Sequence, residues 1–112
     1  MLTRELAGAA AKPLILAILA EQESYGYAII QRIELLSGGE LRWDDSTLYP
    51  VLHRLEHQGL LSSTWRKAEN QRRRKYYALT AKGQQALARE KQQWLRVDAM
   101  LAQLWGLQPR LT

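Results

Sequence analysis

The 112-residue sequence predicts a mainly α domain with a small β-hairpin, an α+β arrangement, extended by one long C-terminal helix. Three observations lead there. Apolar residues recur at helical spacing in three segments before residue 58, two runs of β-forming residues flank a polar loop just after them, and the remaining chain carries a seven-residue apolar repeat. This length suits one compact core with an appended element. Hydrophobic content of 46% and charged content of 24% are ordinary globular usage, which sets aside a disordered tail and a membrane protein.

Residues 13–20 are apolar on every face and read as a helix packed on all sides. A second helix runs from about Tyr27 to Leu36, with Ile29, Ile30, Ile33 and Leu36 as its buried stripe and Ser37, Gly38 and Gly39 as its stop. Residues 40–43 form at most a short strand. Asp44, Asp45, Ser46 and Thr47 are N-cap formers, so a third helix is expected over 46–58, with Leu48, Val51, Leu52 and Leu55 inward and Gly59 ending it. Pro50 fits if it falls at the end of the first turn. The opposite face presents Thr47, Tyr49, Pro50, His53, Arg54 and His57. Residues 60–66 and 73–79 read as a hairpin around the polar loop 67–72. Thr80 caps a last helix reaching about Leu104, with Gly106 and Pro109 beyond it.

Some function classes fall away on composition. With no cysteine there is no disulfide scaffold, thiolate zinc site or Cys nucleophile, and a reducing, cytoplasmic location is expected. The eight-residue apolar run 13–20 is far short of the ~20 residues that span a bilayer, so no membrane association is expected. His53-Arg54-Leu55-Glu56-His57 spells H-x-x-E-H, a zinc-protease pattern, but the chain has no further His or Cys to complete a site. No catalytic residue, metal or cofactor is expected.

The net charge of +5 is unevenly spread. From Arg66 to Lys82 seven cations face Glu69 alone, a local excess larger than that of the whole chain. Such a segment suits phosphate neutralisation. Three helices, the third with an exposed polar face, followed by a basic hairpin, is the order of a winged helix-turn-helix, whose third helix enters the DNA major groove while the wing follows the backbone. Glu69 at the loop tip leaves contact to the flanking cations. The expected division is a DNA-binding domain over residues 1–79, a dimerisation helix over 80–106 and a tail over 107–112.

The motifs Tyr25-Gly26-Tyr27, Ser46-Thr47-Leu48-Tyr49-Pro50 followed by Leu52, Arg54-Leu55-Glu56 and Gly59-Leu60, and Arg73-Arg74-Lys75-Tyr76-Tyr77 followed by Leu79-Thr80 and Gly83 resemble the PadR family of bacterial transcriptional regulators. The resemblance spans residues 13–104 and is to the short type with one terminal helix. It implies a homodimeric repressor on an inverted-repeat operator, often beside efflux or detoxification genes. The DNA-contacting set it suggests is Tyr27, Ser46, Thr47, Tyr49, Pro50, His53 and Arg54 on the helices, with Arg72, Arg73, Arg74 and Lys75 on the wing. The alternative is a winged-helix module for protein or RNA without operator specificity.

Leu87, Trp94 and Leu101 recur every seven residues with Val97 and Leu104 between them, a coiled-coil-like seam that with Trp105 marks a homodimer interface. Two indoles meeting near a two-fold axis leave a gap suited to a flat aromatic compound, which Asp98, beside Val97, would favour as a cation. Some short PadR-like regulators bind planar drugs in this way, and the stretch Trp94, Arg96, Val97, Asp98 is similar. Plain packing of Trp94, and a salt bridge from Asp98 to Arg89 or Arg96 across the seam, are the competing readings.

Overall fold

In the computed structural model, residues 2–67 and 69–106 are described. The proposed tail 107–112, with Pro109, lies outside them. The elements are α1 (Arg4–Glu21), β1 (Ser24–Tyr25), α2 (Gly26–Leu36), α3 (Asp45–His57), β2 (Leu61–Lys67), β3 (Arg73–Leu79) and α4 (Ala81–Leu104). This is the four-helix, small-sheet α+β fold that the patterning implies.

α1 begins well before the apolar run. Thr3 caps it by accepting a hydrogen bond from the Leu6 amide at 3.1 Å, and the alanine-rich stretch that follows propagates the helix up to and through Pro13. The proline removes one internal hydrogen bond without ending the helix. Nor is α1 buried all round, since Ala17 and Ala20 are exposed while Ile15, Leu16, Ile18 and Leu19 face the core. In α2 the core takes Ile29 and Ile33, but Leu36 is 54% exposed, at an open apolar cleft between α2 and α1. Residues 40–43 form no strand. There Leu41 is buried and its amide donates to the Ser37 hydroxyl at 2.9 Å. Arg32 of α2 pairs bidentately with Glu21 at the end of α1, an exposed tie of modest worth.

The sheet is antiparallel in the order β1-β3-β2. β1 is a two-residue strand with no periodicity to announce it, and it pairs Ser24 with Tyr77 and Tyr25 with Tyr76. β2 and β3 are in register from Leu61 opposite Leu79 to Lys67 opposite Arg73. Strand alternation therefore puts Leu61, Ser63, Trp65 and Lys67 on the inner face with Leu79, Tyr77, Lys75 and Arg73, while Arg66, Tyr76, Arg74 and Tyr25 share the outer face.

Leu48, Leu52 and Leu55 of α3 are fully buried, each worth roughly 1.5–3 kcal/mol of burial. α4 joins this core through Ala86 and Leu87, and then residues 91–100 are exposed throughout. The molecule is accordingly elongated, 55 × 30 × 25 Å.

Gly83 sits where α4 crosses the α3–β2 turn, and a Cβ there would lie 2.1 Å from the Leu60 carbonyl oxygen. Gly8, on the exposed part of α1, has nothing within 4 Å. Gly83→Ala is therefore expected to lose about 2–3 kcal/mol or fail to fold, whereas Gly8→Ala gains about 0.5–1 kcal/mol in thermal unfolding, as a helix-interior Gly replaced by Ala should.

Candidate nucleic-acid interface

Asp44 starts α3. Its carboxylate accepts from the Ser46 hydroxyl at 2.7 Å and the Thr47 amide at 3.0 Å, and these bonds, the Ser46 one foremost, hold its carboxyl below the ordinary value of 3.8. Because the cap lies at Asp44, Pro50 falls in the second turn rather than at the end of the first. The amide it lacks would have bonded Ser46, whose carbonyl is on an exposed end where water can solvate it.

Thr47, Pro50, His53 and Arg54 are exposed, with His57 farther along. Tyr49 is half-buried. Its hydroxyl lies over Gly26, where an added Cβ would be 2.6 Å away, so the small residue at the start of α2 is what lets Tyr49 lie down between the two helices. The His53 ring is 6.3 Å from that of Tyr49. Tyr27 is 63% exposed, and its hydroxyl accepts from the Gln31 amide group at 2.8 Å. Ser46 donates to Asp44, leaving only its acceptor capacity outward.

The wing divides its cations. Arg73 lies on the inner face, its guanidinium 5.5 Å from the Trp65 ring centroid, and Lys75 lies beside it, 5.5 Å from the Tyr77 ring centroid and 3.8 Å from Glu56. Arg74 points the other way, 4.4 Å from the Tyr25 ring centroid. The outer face is completed by the Tyr25–Tyr76 edge contact at 5.3 Å and by Arg66, which stacks on Tyr76 and forms a bidentate ion pair with Glu23 that holds the Glu23 carboxyl below its usual range. Arg72 is exposed in the loop.

Between α3 and the inner face of the wing lies an open cleft of about 640 Å³, lined by Tyr27, Tyr49, His53, Trp65, Arg72, Arg73, Arg74 and Lys75 among others. Tyr77 lies at its floor. Burial first, then the Glu56 charge and Tyr49, push its phenol up to about 12. Its buried hydroxyl has no hydrogen-bond partner among the described residues.

Glu56 is committed to the wing. It accepts from the Ser63 hydroxyl at 2.5 Å and pairs with Lys75, which ties up the carboxylate a protease would use as its base, and no group of three His, Cys, Asp or Glu suited to a metal occurs among the described residues. Nor, among those residues, is any helix long and apolar enough to cross a membrane.

On α4, Leu87 is buried in its own domain, Leu101 is half-buried, and Trp94, Val97, Leu104 and Trp105 are exposed. Trp94 separates two apolar clefts. One, of about 300 Å³, lies against Ala10, Pro13, Leu14 and Ala17 of α1 and includes Glu90, and the other, of about 320 Å³, runs past Leu2, Leu6 and Leu14 to Leu36 and Leu41. Neither is lined by Val97 or Asp98. The α1 side chains here went unread in the sequence because residues before Pro13 lack an apolar run, although Leu2, Leu6, Ala10 and Leu14 recur every four residues. Trp65 and Glu56 were also missed as neighbours of the basic run, since Trp65 is brought there by strand register and Glu56 by the packing of α3 on the wing.

Since a depressed carboxyl stabilises the fold above its unfolded value and loses that effect as pH falls through the folded one, Asp44→Ala should melt below the parent at pH 7. That gap should close as pH drops beneath about 3.8, and Asp44→Asn, itself a good cap, should recover most of it at neutral pH.

The family model of the transcriptional regulator PadR-like family matches residues 15–89. The Mycobacterium tuberculosis transcriptional regulator Rv3488 is 40% identical over 88 residues, covering 79% of this chain and 78% of that protein. Among solved structures, a Clostridium thermocellum transcriptional regulator superposes with a TM-score of 0.83 at 25% identity, covering 92% of this chain and 97% of that one. A PadR-like transcriptional regulator of Bacillus cereus gives a TM-score of 0.80 at 26% identity over 90% and 96% of the two chains. With helices, wing and terminal helix in the same order, and with a family of regulators rather than enzymes matched across its core, this chain belongs to the PadR-like family of transcriptional regulators.

Proposed function

We propose that the chain is a cytoplasmic, homodimeric repressor that binds an inverted-repeat operator through residues 1–79 and dimerises through 80–106. One observation carries the reading: the exposed face of α3 and the inner face of the wing meet in a single cleft with Arg73 and Lys75 on one wall and Tyr49 and His53 on the other. This is a groove-reading helix beside a phosphate-binding strand. Tyr27, Ser46, Thr47, Pro50 and Arg54 extend the helix side of that contact, and Arg72 the wing side. Arg74 acts from the outer face, through its stack on Tyr25. In a mobility-shift series on DNA upstream of the protein's own gene, Arg73→Ala should weaken all duplexes alike and lower the salt slope by about one. His53→Ala should reorder the preferred sequences instead. Binding that ignores sequence in the parent would favour a purely electrostatic module, and preferential binding of RNA or protein would replace the operator reading.

The dimer rests on the apolar side chains that α4 leaves uncovered beyond Leu87, among them Val97 and Leu104, and on the matching stripe of α1. Such an exposed surface on a 24-residue helix, ~36 Å long, asks for a second copy. Trp94, between two apolar clefts, is the place for a planar aromatic ligand that relieves repression. Glu90 and Lys91 line its cleft with opposite charges, and Asp98, one turn beyond Trp94, is the carboxylate that favours a cationic compound. Sedimentation should give a dimer for the parent and a monomer or aggregate for Leu101→Arg. Trp94→Ala should remain dimeric yet lose at least tenfold in affinity for cationic planar dyes, about 1.4 kcal/mol or more. Equal dye affinity would make Trp94 a packing residue alone.

A further inference from the structure

Trp65 is 57% exposed although indole is among the largest apolar surfaces a chain can leave in water. It is not on the solvent side of the wing. The register places it on the inner face, directly opposite Lys75 and diagonal to Arg73, whose guanidinium lies 5.5 Å from its ring centroid. One side of the ring is thus covered by a cation, while more than half of its surface stays open along the cleft between the wing and α3. A hairpin needs no such residue for its own stability, because the buried end of the sheet is already closed by Leu61, Tyr77 and Leu79.

The cleft has a definite occupant if α3 lies in a major groove and the wing follows the duplex. The strand bordering that groove then passes between the two, across the inner face of β2 and β3. A sugar–phosphate strand alternates anionic phosphates with apolar sugar faces, and this wall alternates Arg73 and Lys75 with the indole of Trp65. We infer that Trp65 is a DNA-backbone contact: its ring packs against a deoxyribose of the crossing strand while Arg73 and Lys75 hold the flanking phosphates. The inference rests on the DNA-binding reading above, and names a residue and a sugar where that reading names only cations.

A sugar contact is blind to sequence and carries no charge. Trp65→Ala should therefore weaken an upstream duplex and one of unrelated sequence by the same factor, about tenfold, with the salt slope unchanged. Trp65→Phe, keeping an aromatic face, should lose no more than about threefold. The DNA-induced change in tryptophan emission should largely vanish in Trp65→Phe, although Trp43, Trp94 and Trp105 still emit. In an Arg73→Ala background, Trp65→Ala should still cost its full factor. Loss of that factor there would make Trp65 a support for Arg73 and overturn the contact. So would unchanged affinity in Trp65→Ala with the parent melting temperature, or an emission change that survives in Trp65→Phe. A parent protein that binds no duplex overturns the functional reading, and this contact with it.

Discussion

Everything outside the three-helix core hangs from the backbone of Gln58, Gly59 and Leu60. The Thr80 amide donates to the Leu60 carbonyl at 3.1 Å, the Thr80 hydroxyl to the Gly59 carbonyl at 2.7 Å, and the Lys82 ammonium to the Gln58 carbonyl at 2.9 Å. The Thr80 hydroxyl also accepts from the Gly83 amide at 3.0 Å, so one side chain both caps α4 and fastens it to the turn that ends α3. Gly59 at φ 80° makes that turn sharp enough to start β2 at once. Four elements, the end of α3, both roots of the wing and the first turn of α4, meet there within hydrogen-bonding distance. The absence of a side chain at Gly83 is what allows the approach.

A joint of this kind links the two ends of the molecule mechanically. The wing is tied to α3 a second time, farther out, where Glu56 accepts from Ser63 and meets Lys75. Two ties along its length make α3 and the wing root one body, and the end of the wing, residues 66–67 and 73–74, lies beyond both. α4 is fixed to the same body by its first turn, so in the proposed dimer a change in the angle between the two α4 helices would rotate each whole α3–wing unit rather than bend it. Such a rotation would alter the distance between the two α3 helices, to which the proposed two-fold operator would be most sensitive. In that proposed dimer the far half of α4, which leaves Leu95, Val97 and Leu104 uncovered beyond the place where Trp94 meets α1, is the lever.

The sequence was most legible where one signal acted alone. Period-3.6 apolar spacing gave α2 and α3 to within two residues, and Thr80 marked the start of α4 because an N-cap followed a β-run with no loop between. It misled where two signals competed. The helix read from residue 13 begins at Arg4, because the alanines before Pro13 carry α1 through it, and the stripe on its first half was invisible without that helix. Leu36 fits its stripe in period but not in place, because it borders an open apolar cleft between α2 and α1. β1 is too short to have a period and exists only because β3 offers it an edge. As for the proposed site, exposure of the α3 face was readable from polarity. Which cations share that face was not, for it depends on strand register.

The register matters more than the count of charges. Read as a string, residues 72–75 are four adjacent cations, but a strand presents alternate residues to opposite sides, so Arg73 and Lys75 lie on the inner face that walls the cleft, while Arg74 reaches its edge from the outer face and Arg72 from the loop. Arg74 stands opposite Arg66 on the far face, a like-charge pair that by itself would weaken the hairpin. The structure offsets that repulsion locally: Glu23 neutralises Arg66, while Tyr76 and Tyr25 each take a guanidinium on their rings. The motif Arg-Arg-Lys-Tyr-Tyr therefore carries two unlike instructions in one strand. Its odd-numbered residues 73 and 75 serve the cleft and 77 the core beneath it, and its even-numbered residues 74 and 76 bind the wing to β1 and so to the start of α2. A cation at residue 74 thereby also shapes the cleft from its outer edge, by holding Tyr25, and with it Gly26 and the seat of Tyr49, against the sheet.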